Sequence, residues 1–278
     1  VDWKAHPGYP RRQRRSGETS GGGSTMTNLL VVEGLTRYFG GLAAVMDLRF
    51  QVREGEILGI IGPNGAGKTT AFAMIAGSLP PTGGSIRFRD REIASWPSHR
   101  VVRLGICRTH QIPRLFSGMS VRENVEVGLR YGGRRRRSSP VAAEIAQILE
   151  FTDLTGWTTT PAGSLPIGNR KRLELARALA TGPDLLLCDE ICAGLNPAET
   201  QAILALLRRL RDSGVTILYI EHDMRAVMGT CDRIMVLNYG EKLAEGTPQE
   251  IQRDEAVIEA YLGHREAPKP GKDGGGRP

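Results

Sequence analysis

Hydrophobic residues along the chain fall into short unbroken runs that are separated by polar, glycine-rich segments. The runs at Ile57–Ile61, Leu185–Cys188 and Thr216–Ile220 contain few polar side chains, a pattern typical of strands buried on both faces of a sheet. Helical patterns precede the last two runs, at Arg172–Ala180 and Glu199–Leu210. Strands that alternate with helices predict an α/β fold, in which helices pack on a mostly parallel sheet.

Weaker patterns predict the elements around this core. Leu29–Val32 and Leu48–Val52 indicate two strands near the amino-terminal end of the periodic region. Ile234–Leu237 and Glu241–Ala244 flank a glycine-containing turn and predict a hairpin. The segment from about 96 to 165 has mainly helical patterns, and we interpret it as an inserted helical subdomain.

Composition changes at both ends of the chain. Residues 1–25 are rich in Arg, Gly, Ser and Pro and predict a disordered basic arm, and residues 264–278 predict a disordered tail. Met26 lies just before the periodic pattern and is the expected natural start. Residues 26–263 are therefore expected to form one folded domain, which suits a chain of 278 residues.

The distribution of charge argues against a nucleic-acid partner. The net charge is +7, but the excess lies in the two terminal segments and in the run Arg134–Arg137. That run is either a solvated loop or a site of attraction for anionic lipid. No run approaches the ~18 apolar residues of a membrane helix, and no secretory signal is evident, so we expect a cytoplasmic protein.

The segment Gly62–Thr69 matches the phosphate-loop pattern G-x-x-x-x-G-K-[ST], between a predicted strand and a helix at Thr69–Ala76. Its glycines let successive backbone N–H groups turn inward around an anion, and the helix adds its positive amino-terminal end. The pattern predicts nucleotide binding, but it does not choose between kinases, GTPases and transport ATPases.

Individual roles follow from the same pattern. Lys68 is expected to reach the β- and γ-phosphates, and the Thr69 hydroxyl is expected to bind Mg²⁺. The residues of this region that are predicted to bind the nucleotide are Gly62, Pro63, Asn64, Gly65, Ala66, Gly67, Lys68, Thr69 and Thr70.

Two adjacent carboxylates, Asp189 and Glu190, follow the predicted strand at Leu185–Cys188. Their side chains project in different directions, so they can perform different tasks. We expect Asp189 to hold magnesium and Glu190 to polarise an attacking water molecule. An acidic pair alone could equally be a solvent-facing strand end, but beside a phosphate loop it predicts an ATPase that uses ATP and Mg²⁺.

These motifs and several others occur in the order found in the ABC ATPase family, which the chain resembles over about residues 28–263. The resemblance implies a P-loop NTPase fold with a mostly parallel sheet, an antiparallel β subdomain and an inserted helical subdomain. Phe39 matches the aromatic residue on which adenine stacks, Gln111 matches the glutamine loop, and His222 matches the switch histidine. The implied catalytic residues are Lys68, Glu190 and His222, and the implied magnesium ligands are Thr69, Gln111 and Asp189.

The segment that resembles the family's signature motif contains Leu165, Gly168 and Asn169, which are expected to contact the nucleotide of a second subunit. Pro166 stands where Ser is usual, and a proline has neither a hydroxyl nor an N–H to offer a phosphate. The loop Ala193–Asn196 resembles the segment that crosses the dimer interface. The other departures from the family pattern are Ile167, Asn169 itself, Ile191–Cys192 and His110. Because none of them removes a predicted catalytic group, we expect hydrolysis.

Within the family, the chain is most similar to the ATPase subunits of branched-chain amino-acid importers. The similarity rests on Arg108-Thr with Gln111, Arg114–Phe116, Arg172–Arg177, Ala193–Glu199, Glu221–Met224, Asn238–Gly240 with Glu245–Pro248, and Ala260–Gly263.

This similarity implies two ATPase subunits, identical or related, that sandwich two ATP molecules and drive integral-membrane permease subunits. A periplasmic binding protein would act indirectly, and the chain would lie peripherally on the inner face of the plasma membrane. Two alternatives stay open. One is a soluble ABC protein of translation or DNA repair, which the single cassette and the absence of sustained heptads disfavour. The other is the ATPase of an assembly or lipid-export system.

Overall fold

The structure is a computed structural model, and it describes residues 27–132 and 140–262. The predicted arm at 1–25, the run Arg134–Arg137 and the predicted tail at 264–278 lie outside the described residues. The predictions for these segments therefore stay predictions.

The described residues form ten strands, nine α-helices and two short 3-10 helices. None of these helices is long and apolar enough to cross a membrane. The strands are β1 Asn28–Phe39, β2 Leu42–Arg53, β3 Ile57–Ile61, β4 Gly83–Phe88, β5 Arg91–Glu92, β6 Ile106–Arg108, β7 Leu185–Asp189, β8 Thr216–Ile220, β9 Arg233–Asn238 and β10 Glu241–Gly246. The α-helices are α1 Lys68–Ile75, α2 Ser98–Leu104, α3 Val121–Tyr131, α4 Val141–Phe151, α5 Ile167–Ala180, α6 Pro197–Asp212, α7 Met224–Met228, α8 Pro248–Arg253 and α9 Glu255–Leu262.

Six strands form the central sheet in the order β10-β9-β3-β8-β7-β6, and only β10 runs antiparallel to its neighbour. Every residue of β3, β7 and β8 is buried, as the unbroken apolar runs indicated. The predicted P-loop type of α/β fold is therefore confirmed. Because parallel strands point the same way, the segments that follow β3, β6, β7 and β8 all leave one edge of the sheet.

A second, antiparallel sheet has the order β2-β1-β4-β5. Its two long strands each have 12 residues, so they extend well beyond the short runs Leu29–Val32 and Leu48–Val52 that the sequence indicated. The pairing of β1 with β2 shifts register at several points, including the stretch between Val32 and Leu35. Such bulges break the alternation of apolar and polar residues, which is why the pattern revealed only part of each strand.

Alternate residues of the central strands pack into two different layers. Leu58 and Ile60 of β3 join the core that includes the antiparallel sheet and α1. Ile57 and Ile61 of the same strand join the core formed with helices α3 to α6. The two-residue period of a strand thus fixes a sandwich with the central sheet as its middle layer.

The helical region differs from the expectation at its start. A helical subdomain was expected from about residue 96, but Ile106–Arg108 forms β6 and pairs in parallel with β7. The segment up to Arg108 therefore belongs to the central sheet, and α3 begins the helical layer beyond it. A strand of three residues is too short to show a period, so the sequence pattern could not reveal it.

Candidate functional site

The phosphate loop leaves the carboxyl end of β3 and leads into α1. Gly62 and Gly67 have φ angles of 152° and 95°, which side chains rarely adopt. A Cβ atom at Gly62 would collide with the carbonyl oxygen of Leu237, and one at Gly67 would collide with that of Ala44. No side chain caps α1, so the N–H groups of its first turn, which includes Thr69 and Thr70, are available to an anion.

Two glycines of this loop offer a matched test of backbone packing. Gly65 has φ 82° with no atom within 4 Å of an added Cβ, whereas the Cβ of Gly67 would meet backbone. We expect Gly65→Ala to lower the free energy of unfolding by about 1–2 kcal/mol through the left-handed conformation alone. Gly67→Ala should cost about 1–3 kcal/mol more, because strand β2 must also move. Denaturant unfolding without nucleotide measures both, and equal losses would contradict the predicted clash.

Lys68 lies inside the loop that it follows. Its Nζ donates hydrogen bonds to the carbonyl oxygens of Gly62, at 2.7 Å, and Pro63, at 2.9 Å, and the residue is buried. Burial lowers the pKa of Lys68, while the charges of Glu190 and Asp189 act in the opposite direction. The ammonium group is therefore close enough to both predicted carboxylates to interact with them electrostatically.

Asp189 is the last residue of β7, and its carboxylate is buried. Arg108, the last residue of the paired strand β6, places Nη2 2.6 Å from Asp189 Oδ2. Sequence reasoning missed this ion pair because it missed β6. Two strand ends that are neighbours in the sheet bring together charges that are far apart in the chain.

Glu190 follows β7 with φ 45°, an uncommon and strained conformation for a residue other than glycine. Its backbone N–H donates to the carbonyl oxygen of Ile220 at 3.0 Å. Its carboxylate accepts a hydrogen bond from Gln111 Nε2 and lies 3.3 Å from His222 Nδ1. Three predicted site residues, which follow β7, β6 and β8, therefore meet at the same edge of the sheet.

A buried polar group that the sequence did not reveal supports His222. Glu221 directly follows β8 and is buried, and its Oε1 accepts hydrogen bonds of 3.2 Å from the Cys192 N–H and the Tyr219 hydroxyl. Its Oε2 accepts a hydrogen bond of 3.2 Å from the His222 N–H. Burial raises the pKa of Glu221, and backbone hydrogen bonds oppose that effect. The only feature of the sequence that could have indicated this role was the position of a carboxylate directly after a buried strand. The unusual Ile191 and Cys192 are both buried beside this group.

The signature segment lies at the start of α5. The sequence pattern placed the helix from Arg172, but it begins at Ile167 with Pro166 as its amino-terminal cap. Gly168 and Asn169 have low helix propensity, which hid the first turn. Leu165 is buried, and α5 has neither a side-chain cap nor an acidic residue in its first turn. Among the described residues, no hydrogen bond joins this segment to the phosphate loop.

Phe39 ends β1, and its side chain is 48% exposed. The guanidinium carbon of Arg37 lies 4.8 Å from the centre of its ring. The partner strand β2 passes the phosphate loop at Ala44, where Gly67 approaches it. An exposed aromatic ring is thus carried on β1, whose last residue pairs with the start of β2, close to the point where β2 passes the loop.

A cavity of about 380 Å³ opens beside the segment that contains Gln111. Its charged lining includes Arg108, Arg114 and Arg177, with Glu174 as the acidic residue among them. Tyr131 lines it with an exposed ring, and Ile112, next to Gln111, is 79% exposed. Desolvation, together with Arg108 and Arg114, lowers the pKa of His110, which also lines the cavity.

Comparison with known proteins identifies relatives along nearly the whole described chain. The high-affinity branched-chain amino acid transport ATP-binding protein LivG of Salmonella typhimurium is 44% identical over 249 residues, which cover 84% of this chain and 98% of LivG. BraF of Pseudomonas aeruginosa, which carries the same description, is 45% identical with the same coverage. The lipopolysaccharide export system ATP-binding protein LptB of Acidithiobacillus ferridurans is 38% identical over 86% of this chain and 98% of LptB.

Structural and family comparisons agree with these relatives. A nucleotide-free ATP-binding cassette of an ABC transporter, solved by crystallography, has a TM-score of 0.77 and 30% identity, and covers 84% of this chain and 99% of its own. The model of the family described as branched-chain amino acid ATP-binding cassette transporter matches residues 241–267. The model of the family described as ABC transporter matches residues 45–193, more than half of the chain. The resemblance found in the sequence is confirmed, and this chain belongs to the ABC transporter family.

Proposed function

We propose that the chain is the ATP-binding and ATP-hydrolysing subunit of an ABC importer for branched-chain amino acids. The observation that carries the proposal is the meeting of Lys68, Asp189, Glu190, Gln111 and His222 at the edge of the sheet where the phosphate loop begins. Relatives described as branched-chain amino acid transport proteins, at 44% and 45% identity, support the choice of cargo. So does the branched-chain family match at the carboxyl-terminal end.

The side chains at this edge divide the work of hydrolysis. The phosphates of ATP would lie on the N–H groups of the loop and of α1. Lys68 uses two of its three donors on loop carbonyls, which leaves one donor for the γ-phosphate. Glu190 would accept a proton from the water whose oxygen attacks the γ-phosphorus, as the bond to the ADP oxygen breaks. His222, beside Glu190, would contact the γ-phosphate.

The residues present fit a magnesium ion. Thr69, Gln111 and Asp189 offer hydroxyl, amide and carboxylate oxygens, which are the hard ligands that Mg²⁺ prefers. Gln111 directs its amide nitrogen at Glu190, so its amide oxygen is not used in that contact. Arg108 contacts Oδ2 of Asp189 and leaves Oδ1. The ion, when bound, would neutralise phosphate charge during hydrolysis.

A second subunit, identical or related, would complete each site. In one chain, the uncapped start of α5 makes no hydrogen bond with the phosphate loop among the described residues, although its N–H groups suit a phosphate. We therefore propose a dimer in which ATP lies on the phosphate loop of one subunit, with its adenine stacked on Phe39 of that subunit. Leu165, Gly168 and Asn169 of the other subunit would face this ATP.

The cavity beside Gln111 is the proposed contact for the permease. Its lining is mainly cationic and includes the exposed ring of Tyr131, and exposed Ile112 follows Gln111 in the adjoining segment. These features suit a partner segment with one acidic residue and an apolar face. The same segment of the chain carries Gln111, whose side chain donates a hydrogen bond to Glu190. A movement of this segment when the permease binds would therefore change the position of Glu190. This arrangement would hold the chain on the inner face of the plasma membrane.

Lipid export is the second candidate, because LptB is also 38% identical over nearly its whole length. Reconstitution of the transporter in proteoliposomes distinguishes amino-acid import from lipid export. The chain would be co-purified with its membrane subunits and placed in proteoliposomes with the binding protein. We expect ATP-dependent uptake of labelled leucine, isoleucine or valine, which Lys68→Met abolishes and the exposed Lys242→Met does not. ATPase activity without uptake of any of the three would reject the proposed cargo.

A further inference from the structure

Helix α5 carries a lysine that the proposed mechanism does not use. Lys171 is 1% exposed, one turn beyond Gly168 on the same helix. Desolvation lowers the pKa of Lys171, and the nearby carboxylates, Glu174 first among them, act in the opposite direction. An ammonium group in such a place is costly unless it is paired and hydrogen-bonded, so its contacts need an explanation.

Those contacts reach the catalytic edge through backbone atoms. Lys171 Nζ donates to the carbonyl oxygen of Gln111 at 2.5 Å and lies 3.5 Å from the carbonyl oxygen of Glu190. One turn further along α5, Glu174 Oε1 accepts a hydrogen bond of 2.9 Å from the His110 N–H. The helix therefore holds both ends of the His110–Gln111 dipeptide, with a cation on the carbonyl and an anion on the N–H.

We infer that Lys171 is a positioning residue, which ties Gln111 and Glu190 to α5 and so makes the placement of the catalytic carboxylate depend on that helix. Gln111 in turn donates its side-chain N–H to the Glu190 carboxylate, so both parts of the Gln111 residue connect α5 with Glu190. A helix moves as a rigid unit. When the nucleotide of the other subunit binds at Gly168, any shift of α5 would therefore move Glu190 through the contacts of Lys171.

The inference rests on the role proposed above for Glu190. A lysine that only neutralised Glu174 and Glu221 in the core would affect stability and leave chemistry alone. A lysine that positions Glu190 affects turnover while nucleotide binding, which depends on the phosphate loop, stays the same. The two possibilities differ in the split between kcat and KM.

Three variants of the full chain test this difference. Lys171→Met keeps the length of the side chain without its donors, and we expect kcat for ATP to fall on the order of 10–10²-fold, since small displacements of reacting groups have such effects. KM and the affinity of the subunit for ATP should stay within about twofold. Lys171→Arg should recover most of kcat because it keeps a buried cation with donors. Lys242→Met, the same change at an exposed position on β10, is the control.

A double variant, which combines Lys171→Met with Glu190→Gln, tests the positioning role of Lys171 separately from the proposed catalytic role of Glu190. If Lys171 acts through Glu190, Lys171→Met reduces the residual rate of the Glu190→Gln variant by less than about twofold. An unchanged kcat in Lys171→Met, together with the large loss of rate expected for Glu190→Gln, would overturn the inference and leave the role of Glu190 intact. Equal losses with and without Glu190 would also overturn it. Should Lys171→Met fail to fold, Lys171→Gln, which keeps one donor group, is measured in the same way.

Discussion

Glu190→Gln is expected to bind ATP as tightly as the wild-type chain and to hydrolyse it on the order of 10²–10⁴-fold more slowly. The amide oxygen of the new side chain can still accept the hydrogen bond from Gln111 Nε2, so the local geometry is kept. An amide cannot take up a proton from water at neutral pH, so the chemical step is lost. The proposed ATP-bound dimer, which would no longer lose its ATP to hydrolysis, should then accumulate.

Steady-state phosphate release, ATP affinity and gel filtration with ATP measure these three expectations. Glu241→Gln, at an exposed position on β10, makes the same chemical change away from the site and should behave as wild type. Turnover at the wild-type rate in Glu190→Gln would mean that another group polarises the water. Loss of ATP binding would instead mean that Glu190 supports the phosphate loop.

The central sheet could be predicted because its strands are uniform. A strand buried on both faces has few polar residues to interrupt it, and β3, β7 and β8 are of this kind. The expected subdomain boundary at about 96 missed β6, which is too short to show a period. The first turn of α5 was missed for a different reason, since Gly168 and Asn169 have low helix propensity and their helical position depends on the surrounding fold.

For a related reason, several of the residues that the sequence proposed for the site lie together in the structure. Lys68, Glu190 and His222 follow three buried strands, and Asp189 ends one of them. Parallel order brings the ends of such strands to one edge. The supporting contacts, such as Arg108 with Asp189 or Lys171 with Gln111, were not foreseen. Each joins residues that are at least 60 positions apart in the chain. Only the packed structure shows that such residues meet.

Gly168→Asp should reduce ATPase activity by at least about 10²-fold, while the single subunit still binds ATP through Lys68. Gly168 is the second residue of α5, in a first turn that carries no acidic side chain and no cap. If that turn faces the γ-phosphate on the other subunit, a carboxylate there repels the phosphate and occupies its space. The nucleotide-bound dimer should then fail to form.

The structure also shows a steric effect of substitution at Gly168, which must be separated from the effect of the added charge. A Cβ atom at Gly168 would lie 2.8 Å from Oε1 of Glu199, whose other oxygen accepts a hydrogen bond from the Asn196 N–H at the start of α6. Any side chain at Gly168 therefore has to displace the end of the Glu199 side chain, with or without a charge. Gly168→Ala reports that steric part alone, and we expect it to lower the melting temperature and to retain more activity than Gly168→Asp.

Gly156→Asp supplies the matching control for charge. Gly156 is exposed on a 3-10 helix between α4 and α5, and no atom lies within 4 Å of an added Cβ. An added carboxylate there should leave ATP affinity, dimer formation and turnover unchanged. The decisive measurements are ATP affinity at low protein concentration and the ATPase rate at high protein concentration. Normal hydrolysis by Gly168→Asp would show that α5 does not complete the site of a second subunit, and the proposed sandwich of two subunits around ATP would then be wrong.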